Sequence, residues 1–167
     1  MTEESVDNSK NQDILTESYR DQIKSLIEKE SQRRIEIIHN PEEISKLLSL
    51  SLVNLTEQND ENLVPALMAR LGPVRAALDG HGGSIVVDSV EIIRPNKGEK
   101  LLKLVLNLDG ACIACGAAPG TLKGTHDDLL IDEEINSVCF SASMLEWFSE
   151  LQRDFVLKHG GVEFIDL

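Results

Sequence analysis

The chain has 167 residues, with 16 basic and 29 acidic side chains and a formal net charge of −13. That balance argues against nucleic-acid binding, which needs clustered Lys and Arg, and no apolar run approaches the roughly 20 residues of a membrane span. A hydrophobic share of 41% is that of an ordinary globular protein, so disorder throughout is excluded and one domain or two small ones are expected.

The first dozen residues are polar and predict a disordered tip. From Asp13 to about Arg34 the sequence is charged and helix-favouring, with Tyr19, Ile23, Leu26 and Ile27 on one stripe. Ile35, Ile37 and Ile38 fit a short strand or a helix tail. Asn40-Pro41-Glu42-Glu43 is a helix start: Asn caps, Pro takes the first helical position, and the acids face the positive dipole end. Ile44, Leu47, Leu48 and Leu52 form its expected buried face. The polar run from Thr56 to Asn62 reads as a linker, dividing a mainly helical amino-terminal region, 1–62, from a second unit.

In that unit Leu67, Leu71, Val74 and Leu78 recur at helical spacing, interrupted by Gly72-Pro73, which kinks the helix or restarts it at Pro73. His81-Gly82-Gly83 ends it, with a glycine available for the left-handed cap. Residues 84–93 are rich in Val and Ile and predict a strand. Pro95-Asn96-Lys97-Gly98 is turn chemistry, and Leu102, Leu104, Leu106 and Leu108 alternate as in a half-buried strand, so the two strands form a hairpin. Pro119 opens a helix with Leu122, His126, Leu129 and Leu130 facing inward, and Ile135 to Phe140 return as a third strand beside the second. A carboxyl-terminal helix follows, with Met144, Phe148, Leu151 and Phe155 on one stripe. The predicted fold is α+β: a small three-stranded mixed sheet with two helices on one face, a helical region before it and a helix after it. The units are 1–62, 63–140 and 141–167.

Three cysteines, Cys112, Cys115 and Cys139, are too few and odd in number for a secreted disulfide framework. The amino terminus lacks the pattern of a signal or transit peptide, so a reducing, cytoplasmic setting is expected. Cys112-Ile113-Ala114-Cys115 falls between the second strand and the next helix, where free amides and the helix dipole favour thiolates. Such a pair suits a thiol–disulfide site, although no aromatic precedes it and no proline separates the cysteines. It also suits half of a zinc site, or half of an iron–sulfur site completed by a second chain. Cys139 reads as a small buried residue of the third strand, with a third ligand or sulfur acceptor as the alternative. His126 reads as a core or rim histidine and His81 as a helix-end residue, with a metal ligand as the alternative for each.

The order of Val74-Arg75-Ala76-Ala77-Leu78-Asp79-Gly80-His81-Gly82-Gly83, two strands, Gly110-Ala111-Cys112-Ile113-Ala114-Cys115 and Thr121-Leu122-Lys123-Gly124 resembles the carboxyl-terminal domain of NifU, the Nfu family, over about residues 66–140. The resemblance implies a non-enzymatic carrier or scaffold. It would hold a labile [4Fe–4S] cluster on Cys112 and Cys115 across a homodimer, receive it from an upstream scaffold and deliver it to apo-proteins. Family members usually follow the second cysteine with Pro-Ser-Ser; this chain has Gly116-Ala117-Ala118, so hydrogen bonds to cluster sulfurs would fall to backbone amides. Residues 1–111 hold no cysteine, which argues for a carrier rather than a full assembly platform and leaves the amino-terminal helices as a docking or dimer-stabilising module. His159-Gly160-Gly161 echoes His81-Gly82-Gly83, as a truncated repeat or by chance.

Overall fold

The computed structural model describes residues 3–109 and 118–167. It is α+β, with a mixed sheet of four strands in the order β1-β2-β3-β4. Strand β1 (Ser84–Ile93) pairs antiparallel with β2 (Leu101–Asp109), β2 pairs parallel with β3 (Ile135–Ser141), and β3 pairs parallel with the two-residue β4 (Phe164–Ile165). The expected sheet of three strands is corrected by β4. A two-residue strand leaves no alternation to read, and its pairing of Phe140 with Phe164 is entirely non-local.

The first helix, α1 (Glu3–Ile38), is one continuous element of 36 residues. It absorbs most of the tip expected to be disordered and takes Ile35–Ile38 as its tail. The next prediction is met at its start: α2 (Pro41–Leu48) begins at Pro41, and the Asn40 side chain accepts from the Glu42 amide at 2.9 Å. Its expected apolar face is split, however, because Ser51 caps a separate helix, α3 (Leu52–Glu57). Leu52 is fully buried in α3, whereas Leu48 stays exposed on α2. The core crosses residue 62, since Leu52, Val53 and Leu55 join the cluster that holds Leu67 and Leu104.

Helix α4 (Leu63–Ala69) stops before Gly72-Pro73, and α5 (Pro73–Gly80) restarts at the proline. Leu67, Leu71 and Leu78 are buried as their spacing predicts. Gly82 takes φ +65°, its amide donates to Asp79 O and the Gly83 amide to Leu78 O. This two-bond stop satisfies carbonyls the helix would otherwise leave unpaired. It delivers the chain directly into β1.

Both longer strand pairs carry a bulge that keeps the apolar face consistent. Val87 pairs with Leu106 and Ser89 with Val105, so Asp88 is an extra residue in β1. Ile85 is buried, and Val87, Val90 and Ile92 pack against the core, despite the step of three between Val87 and Val90. Asn136 plays the same part in β3, between Ile135 and Val138. A one-residue slip without these bulges would turn half of each strand inside out. On β2 the four leucines at 102, 104, 106 and 108 are all at most 2% exposed. Each contributes about 1.5–3 kcal/mol relative to an exposed side chain.

Helix α6 (Ala118–Leu129) connects β2 to β3, burying Leu122 and Leu129 but leaving Leu130, expected inside, exposed. The expected single carboxyl-terminal helix is instead a 3₁₀ turn (Ala142–Trp147) and α7 (Glu150–His159), separated by extended Phe148 and capped by Ser149. This break moves the stripe: Met144, Phe148 and Val156 are buried, whereas Trp147, Leu151 and Phe155 face water. The chain then reaches β4 through Gly161 at φ +63°. A side chain there would crowd the Lys123 stem at 3.0 Å.

Three polar ties link distant segments to this core. The Glu134 carboxylate, before β3, accepts from Ser51 Oγ at 2.6 Å and from the Leu52 and Val53 amides, capping α3. Arg70 pairs with Asp132 and donates to the carbonyls of Ala66 and Leu50, both at 2.9 Å. His39, just after α1, meets Asp79 of α5 at 2.8 Å, and Arg75 approaches the same carboxylate at 3.6 Å. Among the described residues, no helix is long and apolar enough to cross a membrane.

Candidate functional site

Cys112 and Cys115 lie outside the described residues, within the connection from β2 to α6. Asp109 is the last residue of β2 and pairs with Ser84, the first residue of β1, so the connection leaves the sheet beside the His81-Gly82-Gly83 turn. It ends at Ala118, the first residue of α6, where Leu122 inserts fully into the core and fixes the first turns of that helix. The His81-Gly82-Gly83 turn and Asp109, the last residue of β2, therefore lie at the same end of the sheet.

The order β2, α6, β3 has a chemical consequence for residues near the start of α6. Unpaired amides and the positive dipole end of a helix lower the free energy of anions placed there. A twelve-residue helix docked on the sheet holds that end in place. Pro119 has no N–H to offer, which limits the donors in its first turn.

His81 is exposed at the helix end, as expected from its position. Cys139 and His126 line a cleft of about 540 Å³ between α6, β3 and α7, together with Lys158 and Glu163. The side chain expected to be buried at Cys139 is instead only partly covered, with Sγ 3.8 Å from Glu163 Oε2. Burial first, and then the neighbouring Glu163 carboxylate, push this thiol above the ordinary range, so it stays protonated. A protonated thiol is a poor nucleophile and a poor metal ligand. Glu163 escaped the sequence reading because it lies 24 residues from Cys139 and joins it only through β3–β4 pairing.

On α6, His126 Nδ1 lies 2.9 Å from Asp127 Oδ1, and Lys123 also donates to that oxygen. The Lys123 bond, followed by the histidine, holds Asp127 below the usual carboxylate range. Its neighbour Asp128 behaves oppositely: burial raises its pKa, although the Gly72 amide donates to it at 2.8 Å. Among the described residues, no group of three or more His, Cys, Asp and Glu side chains is arranged to hold a metal ion. No protein-family model matches the sequence, and no curated protein and no solved structure matches it either.

Proposed function

We propose that this protein is an iron–sulfur cluster carrier in which Cys112 and Cys115 from two chains hold a labile [4Fe–4S] cluster and pass it to apo-proteins. The cluster is cargo, and the protein is a carrier rather than an enzyme. The observation that carries the reading is the pairing of Ser84 with Asp109, which sets the His81-Gly82-Gly83 turn beside the end of the strand that precedes the cysteines in sequence, with Thr121-Leu122-Lys123 in the helix that follows them. The donor set fits: a four-iron cluster takes four thiolates, each chain supplies two, and a two-fold pairing supplies the rest. Residues Gly116 to Ala118 contribute only backbone amides as hydrogen-bond donors, in place of the hydroxyls usual in the family it resembles. Cluster binding in a reducing, cytoplasmic setting, receipt from an upstream scaffold and delivery to acceptors complete the proposal.

Reconstitution with iron and sulfide under anaerobic conditions should give broad thiolate-to-iron absorption and about four irons and four sulfides per dimer. Cys112→Ala and Cys115→Ala should each abolish the chromophore. Its retention in both variants would show the assignment to be wrong.

One observation favours a second reading. The β2–α6–β3 unit is a parallel βαβ crossover with a Cys-x-x-Cys at its strand-to-helix junction, an arrangement that also suits thiol–disulfide exchange. In that case the pair reduces a substrate disulfide to two thiols and itself becomes a disulfide. Insulin reduction separates the readings, because a carrier is near inactive in that assay. Metal and sulfide analysis of anaerobically purified protein also distinguishes a cluster from a zinc bridge.

A further inference from the structure

Among the described residues, an exposed apolar stripe runs along α1. Leu15, Tyr19, Ile23, Leu26 and Ile27 are each between 55% and 65% exposed. At 100° per residue they fall within one arc of about 120°. Five side chains of this size leave on the order of 400 Å² of apolar surface in water, the size of patch that is often functional on a protein surface. Along one side the stripe continues into a groove of about 470 Å³, where Ile23, Leu26 and Ile27 face Pro73, Ala76 and Ala77 of α5. The short side chains of α5 keep that wall low.

We propose that this groove receives α1 of a second copy, running antiparallel, so that α1 forms the interface of a homodimer. Charge selects both the occupant and its direction. Residues 3–21 carry six acidic and two basic side chains, whereas residues 22–38 carry four basic and three acidic ones. Parallel pairing would set one acidic half against another; antiparallel pairing sets each acidic half against the basic half of its partner. The relevant charges are free to respond. Glu30 holds Arg33 and Arg34, but Asp13, Glu17, Asp21, Lys24 and Lys29 make no ion pair within the chain among the described residues.

Size is sufficient as well. A 36-residue helix is about 54 Å long. With the apolar stems of its flanking Lys and Arg side chains added to the stripe, it approaches the ~800 Å² per partner of a standard interface. A two-fold near Ile23 sets Tyr19 against the partner's Ile27. This surface includes neither Cys112 nor Cys115, so the dimer goes beyond the cluster reading and forms without iron.

The test uses the full-length, metal-free protein in chelator and reductant. Sedimentation equilibrium should give twice the 18.5 kDa of one chain, with dissociation on dilution. The double variant Ile23→Glu with Leu26→Glu, both exposed, should weaken association by about 100-fold or more. Its circular dichroism and urea midpoint at high dilution should match those of the parent, which reports that the fold is intact. A spin label at Gln12→Cys, with the native cysteines changed to serine, should lie about 30 Å from its partner; parallel helices would bring the two labels within about 15 Å. A monomer throughout, a dimer indifferent to the two glutamates, or labels in close approach each overturn the proposal. No arm involves cluster loading, so failure of the carrier reading and failure of this dimer are separately visible.

Discussion

In β2, Leu102, Leu104, Leu106 and Leu108 are almost completely removed from solvent, whereas in α1 Tyr19, Ile23, Leu26 and Ile27 keep more than half of their surface in water. Both segments show clean periodicity, of two residues in one and 3.6 in the other. The difference lies in what is packed around them. Strand β2 is central, with β1 on one side, β3 on the other, and α3 among the helices packed against it. Helix α1 meets the remainder near its carboxyl end, where Ile35 is buried and His39 binds Asp79. Periodicity identifies side chains that share a face, but covering that face takes an element from elsewhere in the chain or from another chain.

The contrast is broken most directly by cutting side chains on both sides of it. Leu104→Ala, which opens a cavity under a central strand, should cost about 3–5 kcal/mol. Leu26→Ala, measured at concentrations where the chain is monomeric, should change stability by about 0.5 kcal/mol or less. Urea midpoints of the two variants give the comparison, and similar losses would mean that α1 is integral to the monomer core.

A smaller effect sharpens the boundary between the two regions. Glu134→Gln leaves an acceptor for Ser51 but removes the charge that faces the start of α3, and should cost about 1–2 kcal/mol. Hydrogen exchange should then quicken at Leu52 and Val53 while β2 amides stay protected. Uniform loss of protection would show that α3 and the sheet unfold only together.

The smallest expected effect is the pH response of Asp128. Burial lets the folded chain hold this proton to a higher pH than the unfolded chain. The native state therefore binds more protons from the ordinary aspartate value of about 3.8 up to the raised one, and stability falls as pH rises through that window. Asp128→Asn keeps an acceptor for the Gly72 amide and should flatten this part of the stability profile. Urea melts from the ordinary aspartate value upward in pH check the slope. An unchanged slope would assign it to another carboxylate.

Much of the sheet and its punctuation was legible from local residues. Asn40-Pro41 starts a helix, Gly82 stops one, Pro95 to Gly98 turn the hairpin, and alternating leucines mark β2, because each signal rests on backbone dihedrals or a short repeat. The candidate cysteines were equally visible as a motif, and their anchors at Asp109 and Ala118 match the predicted strand-to-helix junction. The carboxyl-terminal region was less legible. Ser149 caps a new helix three residues after Glu146, and this single break keeps Met144 and Phe148 buried but turns Leu151 and Phe155, expected on the same stripe, out to water, with Val156 buried instead. Period alone does not anticipate a phase change of that kind.

The sequence by itself determined the order and type of the principal elements, the hairpin, and the acidic, cysteine-poor character that leaves one Cys-x-x-Cys as the candidate site. Tertiary structure decided the bulges at Asp88 and Asn136, the addition of β4, the capping of α3 by Glu134, the placement of Cys139 beside Glu163, and the exposure of the α1 stripe. The physical reason is range. Dihedral preferences and side-chain periods act over a few residues, whereas burial, cross-strand register and the field at a partly covered thiol depend on groups brought together from 24 to more than 80 positions away.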